Sequence, residues 1–230
     1  MLTINNYQSS ILHDISLEIK GNTIILGSNG SGKSTLAKVM VGIIENEATT
    51  ILGKKHHELS RIQKIETINY IPSKLEIFDE YMSVQEFLEL SFIGISKIKV
   101  QELASLLGIS TLLEHNCQTL SSGESQLLLM ASCIAHNALI TILDEPTSNL
   151  DQIKTKRVFD IVNSNEYLQH KIIITHDLNF AYKLGFDIVF IQSGKVVFQG
   201  SNEAFFCAKN METFFGNSVK IVENFVVSNL

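Results

Sequence analysis

Short apolar runs of two different periods alternate along the chain. Leu12–Ile19 alternates loosely and reads as a strand. Gly21-Asn22 marks a turn, and the β-branched run Thr23–Leu26 predicts a short buried strand. Gly27–Gly32 is glycine-rich, and Lys33–Ile44 then shows helical spacing, with Leu36, Val39, Met40 and Ile43 on one face. Residues 66–72 predict a strand that Pro72 ends. Residues 83–115 repeat apolar positions three and four apart, with a break at Gly94–Ser96, and Ser121–His136 predicts a further helix. Leu139–Leu143 is apolar except for Thr141, predicts a strand, and is followed by Asp144-Glu145-Pro146. Thr155–Val162 predicts a helix, Lys171–Thr175 an apolar strand ending at His176, and Ser193-Gly194-Lys195 a hairpin turn between Ile188–Ile191 and Val196–Phe198. Strands alternating with helices predict a mainly parallel α/β core, with the helix-rich stretch 74–135 as a separate lobe.

At 230 residues, 45% of them apolar, the chain is long enough for one large domain or two joined lobes with a real core. Its net charge of −6 argues against a nucleic-acid partner, which calls for a basic face. Three cysteines, Cys117, Cys133 and Cys207, suit a reducing compartment, where they are expected to serve as small apolar fillers. No His/Cys set has zinc-ligand spacing. The opening Met-Leu-Thr-Ile-Asn-Asn does not read as a signal peptide. No apolar run approaches the roughly 20 residues that span a bilayer. A cytoplasmic protein is expected, one that needs a spanning partner if it works at a membrane.

Two segments carry chemistry. Gly27-Ser28-Asn29-Gly30-Ser31-Gly32-Lys33-Ser34-Thr35 satisfies G-x-x-x-x-G-K-[ST] between a strand and a helix. Glycines let backbone N–H groups converge on an anion, and the following helix presents its positive end to it. Lys33 then reaches the β- and γ-phosphates of a nucleotide, and the Ser34 hydroxyl is offered to Mg²⁺. The second segment is the acidic pair, because a buried strand does not end in two carboxylates without cause. Strand alternation turns Asp144 and Glu145 different ways, so Asp144 is expected to hold the metal through water and Glu145 to activate the attacking water.

With these residues the chain resembles the ATP-binding cassette (ABC) family over essentially its whole length. Leu120-Ser121-Ser122-Gly123-Glu124-Ser125-Gln126 resembles the family signature, Ser148-Asn149-Leu150-Asp151 the D-loop, and Thr175-His176-Asp177 the switch-histidine segment. Tyr7 stands where the family places an aromatic against adenine. The resemblance implies a P-loop NTPase fold with a mainly parallel core sheet, an antiparallel β part and an inserted helical lobe. It divides the chain into a nucleotide-binding core (1–73 and 136–204), a helical lobe with the signature (74–135) and a C-terminal appendage (205–230). It also implies two copies paired head to tail around two ATP. Each ATP then lies between the phosphate loop of one copy and the signature of the other, with Ser121, Gly123 and His176 on the γ-phosphate and the D-loop Asp151 also among the nucleotide-binding residues.

The chain departs from the family pattern at three places. Ser73 follows Pro72 where a glutamine is usual, so it is expected to reach Mg²⁺ only through water. Ser122 replaces a signature glycine, and Leu127 stands where an arginine often follows. One phosphate loop and one signature per chain, with no coiled-coil insertion or membrane span, imply a free-standing transport subunit. Its expected partners are integral membrane permease subunits and an extracytoplasmic binding protein, with the chain peripheral on the inner face of the cell membrane. His176-Asp177-Leu178-Asn179 and Glu58-Leu59-Ser60-Arg61 resemble importers of iron–siderophore, haem, cobalamin and related chelates. The alternative from another class is a non-transport ABC ATPase or regulatory cassette. An apolar strip near Ser73, formed by Leu75, Ile77, Phe78 and Tyr81, favours transport; the same residues could instead simply pack the lobe.

Overall fold

The computed structural model describes residues 1–77, 79–93 and 98–229. Its contacts divide the chain into two compact units. One is Met1–Leu59 with Ile172–Leu230, and the other is Ser60–Lys171.

The first unit opens with β1 (Leu2–Tyr7) and β2 (Ile15–Ile19), which pair antiparallel. Then come β3 (Thr23–Leu26), α1 (Lys33–Met40), β4 (Thr49–Ile51) and β5 (Lys54–Lys55). Strands β2, β1, β4 and β5 form an antiparallel sheet in that order. The second unit contains α2 (Arg61–Thr67), β6 (Ile68–Ile71), α3 (Val84–Ser91), α4 (Val100–Leu107), α5 (Ser122–His136), β7 (Ile140–Asp144) and α6 (Gln152–Asn163). In it β6 and β7 pair in parallel. The chain returns to the first unit through β8 (His170–Thr175), α7 (Leu178–Leu184), β9 (Asp187–Gln192) and β10 (Lys195–Gly200). It ends with α8 (Asn202–Phe205), α9 (Ala208–Phe215), β11 (Val219–Val222) and β12 (Phe225–Ser228).

In the first unit β3 lies between β8 and β9, parallel to both, and β10 closes that edge antiparallel to β9. Ile24, Ile25 and Leu26 on β3, Ile172–Ile174 on β8 and Ile188–Ile191 on β9 are all buried. Parallel strands covered on both faces read as continuous apolar runs for this reason. Each such side chain contributes about 1.5–3 kcal/mol of transfer free energy. The turn between β9 and β10 uses Ser193 (φ 48°) and Gly194 (φ 74°), the pair of positive φ values that a tight hairpin demands.

Several boundaries differ from the sequence expectation for local reasons. Strand β2 begins at Ile15 and not Leu12, because Asp14 takes a left-handed φ of 53°. Helix α1 stops at Met40, short of Ile44, where Gly42 turns the chain at φ 77°. Ile43 is consequently exposed and not part of the buried face. Among the described residues the helical stretch 83–115 comprises α3, α4 and a 3₁₀ turn at Ser110–Leu112, and the expected break at Gly94–Ser96 lies outside them. Cys117 and Cys133 are buried, as expected of fillers, and burial pushes their thiols up, Cys117 to about 11. Cys207 is exposed at the start of α9 and fills nothing.

The C-terminal residues join the first unit through aromatic packing. Phe205 meets Phe190 of β9 and Phe198 of β10 at ring-centroid distances of 5.4 and 5.3 Å, and it stacks on Phe214 at 5.6 Å. The β11–β12 hairpin is held to α7 by Asn179. Its Nδ2 donates to the Val226 carbonyl (2.6 Å), and its Oδ1 accepts from the Val226 N–H (2.7 Å).

Candidate active site

The candidate residues fall in both units. In the first unit, β3 delivers the chain into the phosphate loop and α1 leaves it. Gly32, the residue before α1, has φ 104°, and a Cβ built there would lie 2.7 Å from Leu12 Cδ2. Only glycine fits both the backbone and the space. At Gly27 a Cβ would lie 2.5 Å from the Ile191 carbonyl oxygen and 2.5 Å from Ser31 Oγ. The residue that precedes α1 is glycine and supplies no side-chain cap, which suits a helix start that meets an anion. The Lys33 ammonium is buried under its own loop and donates to the carbonyls of Gly27 (2.7 Å) and Ser28 (2.9 Å). Gly194 N–H donates to the Ser31 carbonyl at 3.1 Å, which ties the loop to the β9–β10 turn. Asn29, Gly30 and Ser34 are exposed, and Thr35 is half-buried.

Two more candidates belong to this unit. Tyr7 ends β1 just after a bulge between Ile4 and Tyr7, which brings it opposite Ile15, on the register face of Leu2 and Ile4. Its ring is half-buried. His176 follows β8 and is exposed, between two fixed neighbours. Thr175 is fully buried, and its hydroxyl accepts from the Asp177 N–H at 3.1 Å. Asp177 in turn caps α7 by accepting from the Phe180 N–H at 3.0 Å.

In the second unit, Asp144 is the last residue of β7 and is 3% exposed. Its Oδ2 accepts from the Tyr70 hydroxyl at 2.9 Å, while its Oδ1 has no hydrogen-bond partner among the described residues. Burial, then the charge of Asp144, push the Tyr70 hydroxyl well above its ordinary range, so it stays a donor. Glu145 is not on the strand. It turns off β7 with a left-handed φ of 51°, so the turn and not strand alternation aims its side chain. This corrects the expectation from the sequence. A non-glycine residue in that conformation is held there by its surroundings. Here the Glu145 carbonyl accepts from Ser148 N–H (3.1 Å) and from the buried Gln126 carboxamide (3.3 Å). Ser73 lies two residues beyond Ile71, and Ile71 is in register with Leu143, so Ser73 and Glu145 leave the same end of the β6–β7 pair.

Ser121 is the N-cap of α5. Its hydroxyl donates to Glu124 Oε2 (2.6 Å), its N–H donates to the same oxygen (2.8 Å), and its oxygen accepts from Glu124 N–H (3.4 Å). These bonds hold the Glu124 carboxyl below its ordinary range. A Cβ on buried Gly123 would lie 3.0 Å from the Asn149 carbonyl oxygen, so the signature turn packs on the D-loop turn. Asp151 caps α6, accepting from the Lys154 N–H at 2.8 Å. That bond, then the neighbouring Lys154 charge, keep its carboxyl low.

The sequence reading missed Tyr70 and the clamp that Gln126 places on Glu145. Both bonds join residues distant in the chain, and no local pattern announces them.

The sequence profile of the ABC transporter family matches residues 12–148, more than half of the chain. The chain belongs to the ABC transporter family. As a cassette of this family it is an ATP-binding and ATP-hydrolysing subunit with the P-loop α/β fold. It is 29% identical to the hemin import ATP-binding protein HmuV of Hydrogenovibrio crunogenus, across 96% of this chain and 93% of that protein. It is 32% identical to the zinc import ATP-binding protein ZnuC of Buchnera aphidicola subsp. Acyrthosiphon pisum, across 81% and 76%. In fold, the cassette is similar to the dimeric ATP-binding cassette MJ0796 in a post-hydrolysis state bound to ADP and Pi. The TM-score is 0.73 with 19% identity over 88% of this chain and 99% of that one.

Proposed function

We propose that this cassette drives a membrane importer of a metal chelate or metal ion, as a head-to-tail pair of copies that closes around two ATP. The observation that carries this reading is the order of phosphate loop, signature-like segment, acidic strand end, D-loop and switch histidine on a chain related to hemin and zinc import subunits. The dimeric state of the structural neighbour supports the pairing. The phosphate loop, Gly27 to Thr35, wraps the phosphates, Lys33 neutralises the β- and γ-oxygens, and Tyr7 stacks on adenine. Glu145 takes a proton from the attacking water, and His176 hydrogen-bonds the γ-phosphate. Ser121 and Gly123, at the N-terminus of α5, act on the ATP of the other copy, and the D-loop Asp151 is a further nucleotide-binding residue.

Mg²⁺ fits the residues present. A buried carboxylate with one anchored oxygen and one partnerless oxygen suits the hydration shell of a cation. Ser34 would hold the ion directly, and Asp144 and Ser73 through water. When bound, it supplies charge neutralisation across the β- and γ-phosphates.

No helix among the described residues is long and apolar enough to cross a membrane. The reading therefore needs permease subunits that span, an extracytoplasmic binding protein, and a place for this chain on the inner membrane face. A cleft of about 370 Å³ lined by Asp79, Tyr81, Met82, Glu86, Glu89 and Leu90 supports it. Tyr81 is 86% exposed and Leu90 71%, beside the carboxylates of Asp79, Glu86 and Glu89, so the cleft is mixed and not a purely apolar strip. Leu75 and Ile77 of the expected strip are half-buried, and Phe78 lies outside the described residues. We also propose 74–135 as a helical lobe and 205–230 as a structural appendage.

The test is a pull-down of the tagged chain from its native membranes, with mass spectrometry of what is retained. A many-span integral membrane protein in equal amount is expected. Only soluble partners would overturn the transport reading in favour of a non-transport ATPase. Separately, Glu145→Gln is expected to accumulate as an ATP-bound dimer on size exclusion, and normal turnover in that variant would remove Glu145 as the base.

A further inference from the structure

Asp144 stands on a strand whose other side chains are apolar or small, with Ile142 fully buried two residues before it. Residues two apart on a strand share a face. Ile142 is in register with Tyr70 of β6, so Tyr70, Ile142 and Asp144 share one face of the β6–β7 pair. A tyrosine is long enough to reach diagonally from the level of one residue to the next on its face. The Tyr70 hydroxyl does this, donating to Asp144 Oδ2 at 2.9 Å across 74 positions of sequence. This is the hydrogen bond that the described residues give the carboxylate, and Oδ1 is left buried without a partner.

The consequence is orientational. The terminal torsion of an aspartate is broad, so a carboxylate with no anchor samples many orientations. Here one oxygen is tied, and the plane of the group is set by that tie. Leaving the other oxygen buried and unmade is costly unless something outside the protein takes it up. Groups that orient a metal-handling carboxylate matter to the metal nearly as much as the carboxylate itself.

We propose that Tyr70 is a positioning residue for the metal-handling carboxylate, anchoring Asp144 Oδ2 so that Oδ1 is the acceptor offered to the hydrated ion. This rests on the reading that Asp144 serves Mg²⁺. Ser73 lies beyond the end of β6, and the Tyr70 hydroxyl is the β6 group that hydrogen-bonds the carboxylate.

The test compares wild type, Tyr70→Phe, Asp144→Asn and the double variant. Mn²⁺ binding in the presence of ADP is read by electron paramagnetic resonance, ADP binding in chelator by calorimetry, and stability by thermal melting. Tyr70→Phe is expected to weaken Mn²⁺ binding about tenfold, the lower end for an outer partner of a metal ligand. ADP affinity without metal is expected to be unchanged. In the Asp144→Asn background the same substitution should have no further effect on Mn²⁺, because the tyrosine acts through the carboxylate. Unchanged Mn²⁺ binding in Tyr70→Phe, with Asp144→Asn impaired, would overturn the proposal alone. Equal losses in both backgrounds would also overturn it, making Tyr70 a packing residue. Unchanged Mn²⁺ binding in Asp144→Asn would instead remove the metal reading of Asp144.

Discussion

The phosphate loop contains two glycines with positive φ that differ in their surroundings, and this difference predicts two different outcomes for the same substitution. Gly30 has φ 78° and nothing within 4 Å of a built Cβ, whereas Gly32 has φ 104° and would drive a Cβ to 2.7 Å from Leu12 Cδ2. Gly30→Ala meets only the left-handed cost of roughly 1–2 kcal/mol. That cost is offset by about 0.4–1 kcal/mol from a less flexible unfolded chain. A net loss of about 1 kcal/mol is expected. Gly32→Ala meets backbone strain of about 1–3 kcal/mol. Overpacking against Leu12, fully buried, adds about 1–3 kcal/mol. With the same offset the net loss is about 3 kcal/mol. For a chain of this length each kcal/mol lowers Tm by roughly 2–4 °C, which places the two variants about 3 °C and about 9 °C below wild type. Differential scanning calorimetry reads both directly. Because Gly32 directly precedes α1 and Lys33, added ATP should also protect Gly32→Ala less than Gly30→Ala. Equal Tm losses in the two variants would refute the steric reasoning. A Gly32→Ala melt within 2 °C of wild type would refute the strain argument as well.

Lys33→Ala is expected to lose nucleotide binding in equilibrium dialysis, since the ammonium held by the Gly27 and Ser28 carbonyls is the loop's charged group; retained tight binding would contradict the phosphate-loop assignment. Ser73→Gln is expected to raise ATP turnover in the assembled transporter by restoring a carboxamide beside the β6–β7 strand ends. A turnover equal to wild type would show that serine there is sufficient. A mild thiol reagent should label Cys207 alone in the folded chain and all three cysteines after denaturation. Labelling of Cys133 at a comparable rate would contradict its burial, which also pushes its thiol up and leaves little thiolate to react.

The sequence by itself determined what depends on neighbouring residues. The glycine spacing of 27–32, the β-branched run of β3, the mostly apolar run of β7 and the Ser193-Gly194 turn are all local chemistry, and the structure contains each of them. The order of motifs along the chain was sufficient to indicate the family. Boundaries were less legible where a single residue adopts positive φ, as Asp14 does before β2, because asparagine and aspartate at such positions are permitted but not required. Tertiary structure alone decided how the acidic pair is held. Tyr70 reaches Asp144 across 74 positions, and Gln126 donates to the Glu145 carbonyl across 19, where the glutamate takes a left-handed backbone conformation. The physical reason is the range of the forces. Backbone propensity and capping act within a few residues, whereas a hydrogen bond between strands or between a helix and a turn exists only after burial has brought them together.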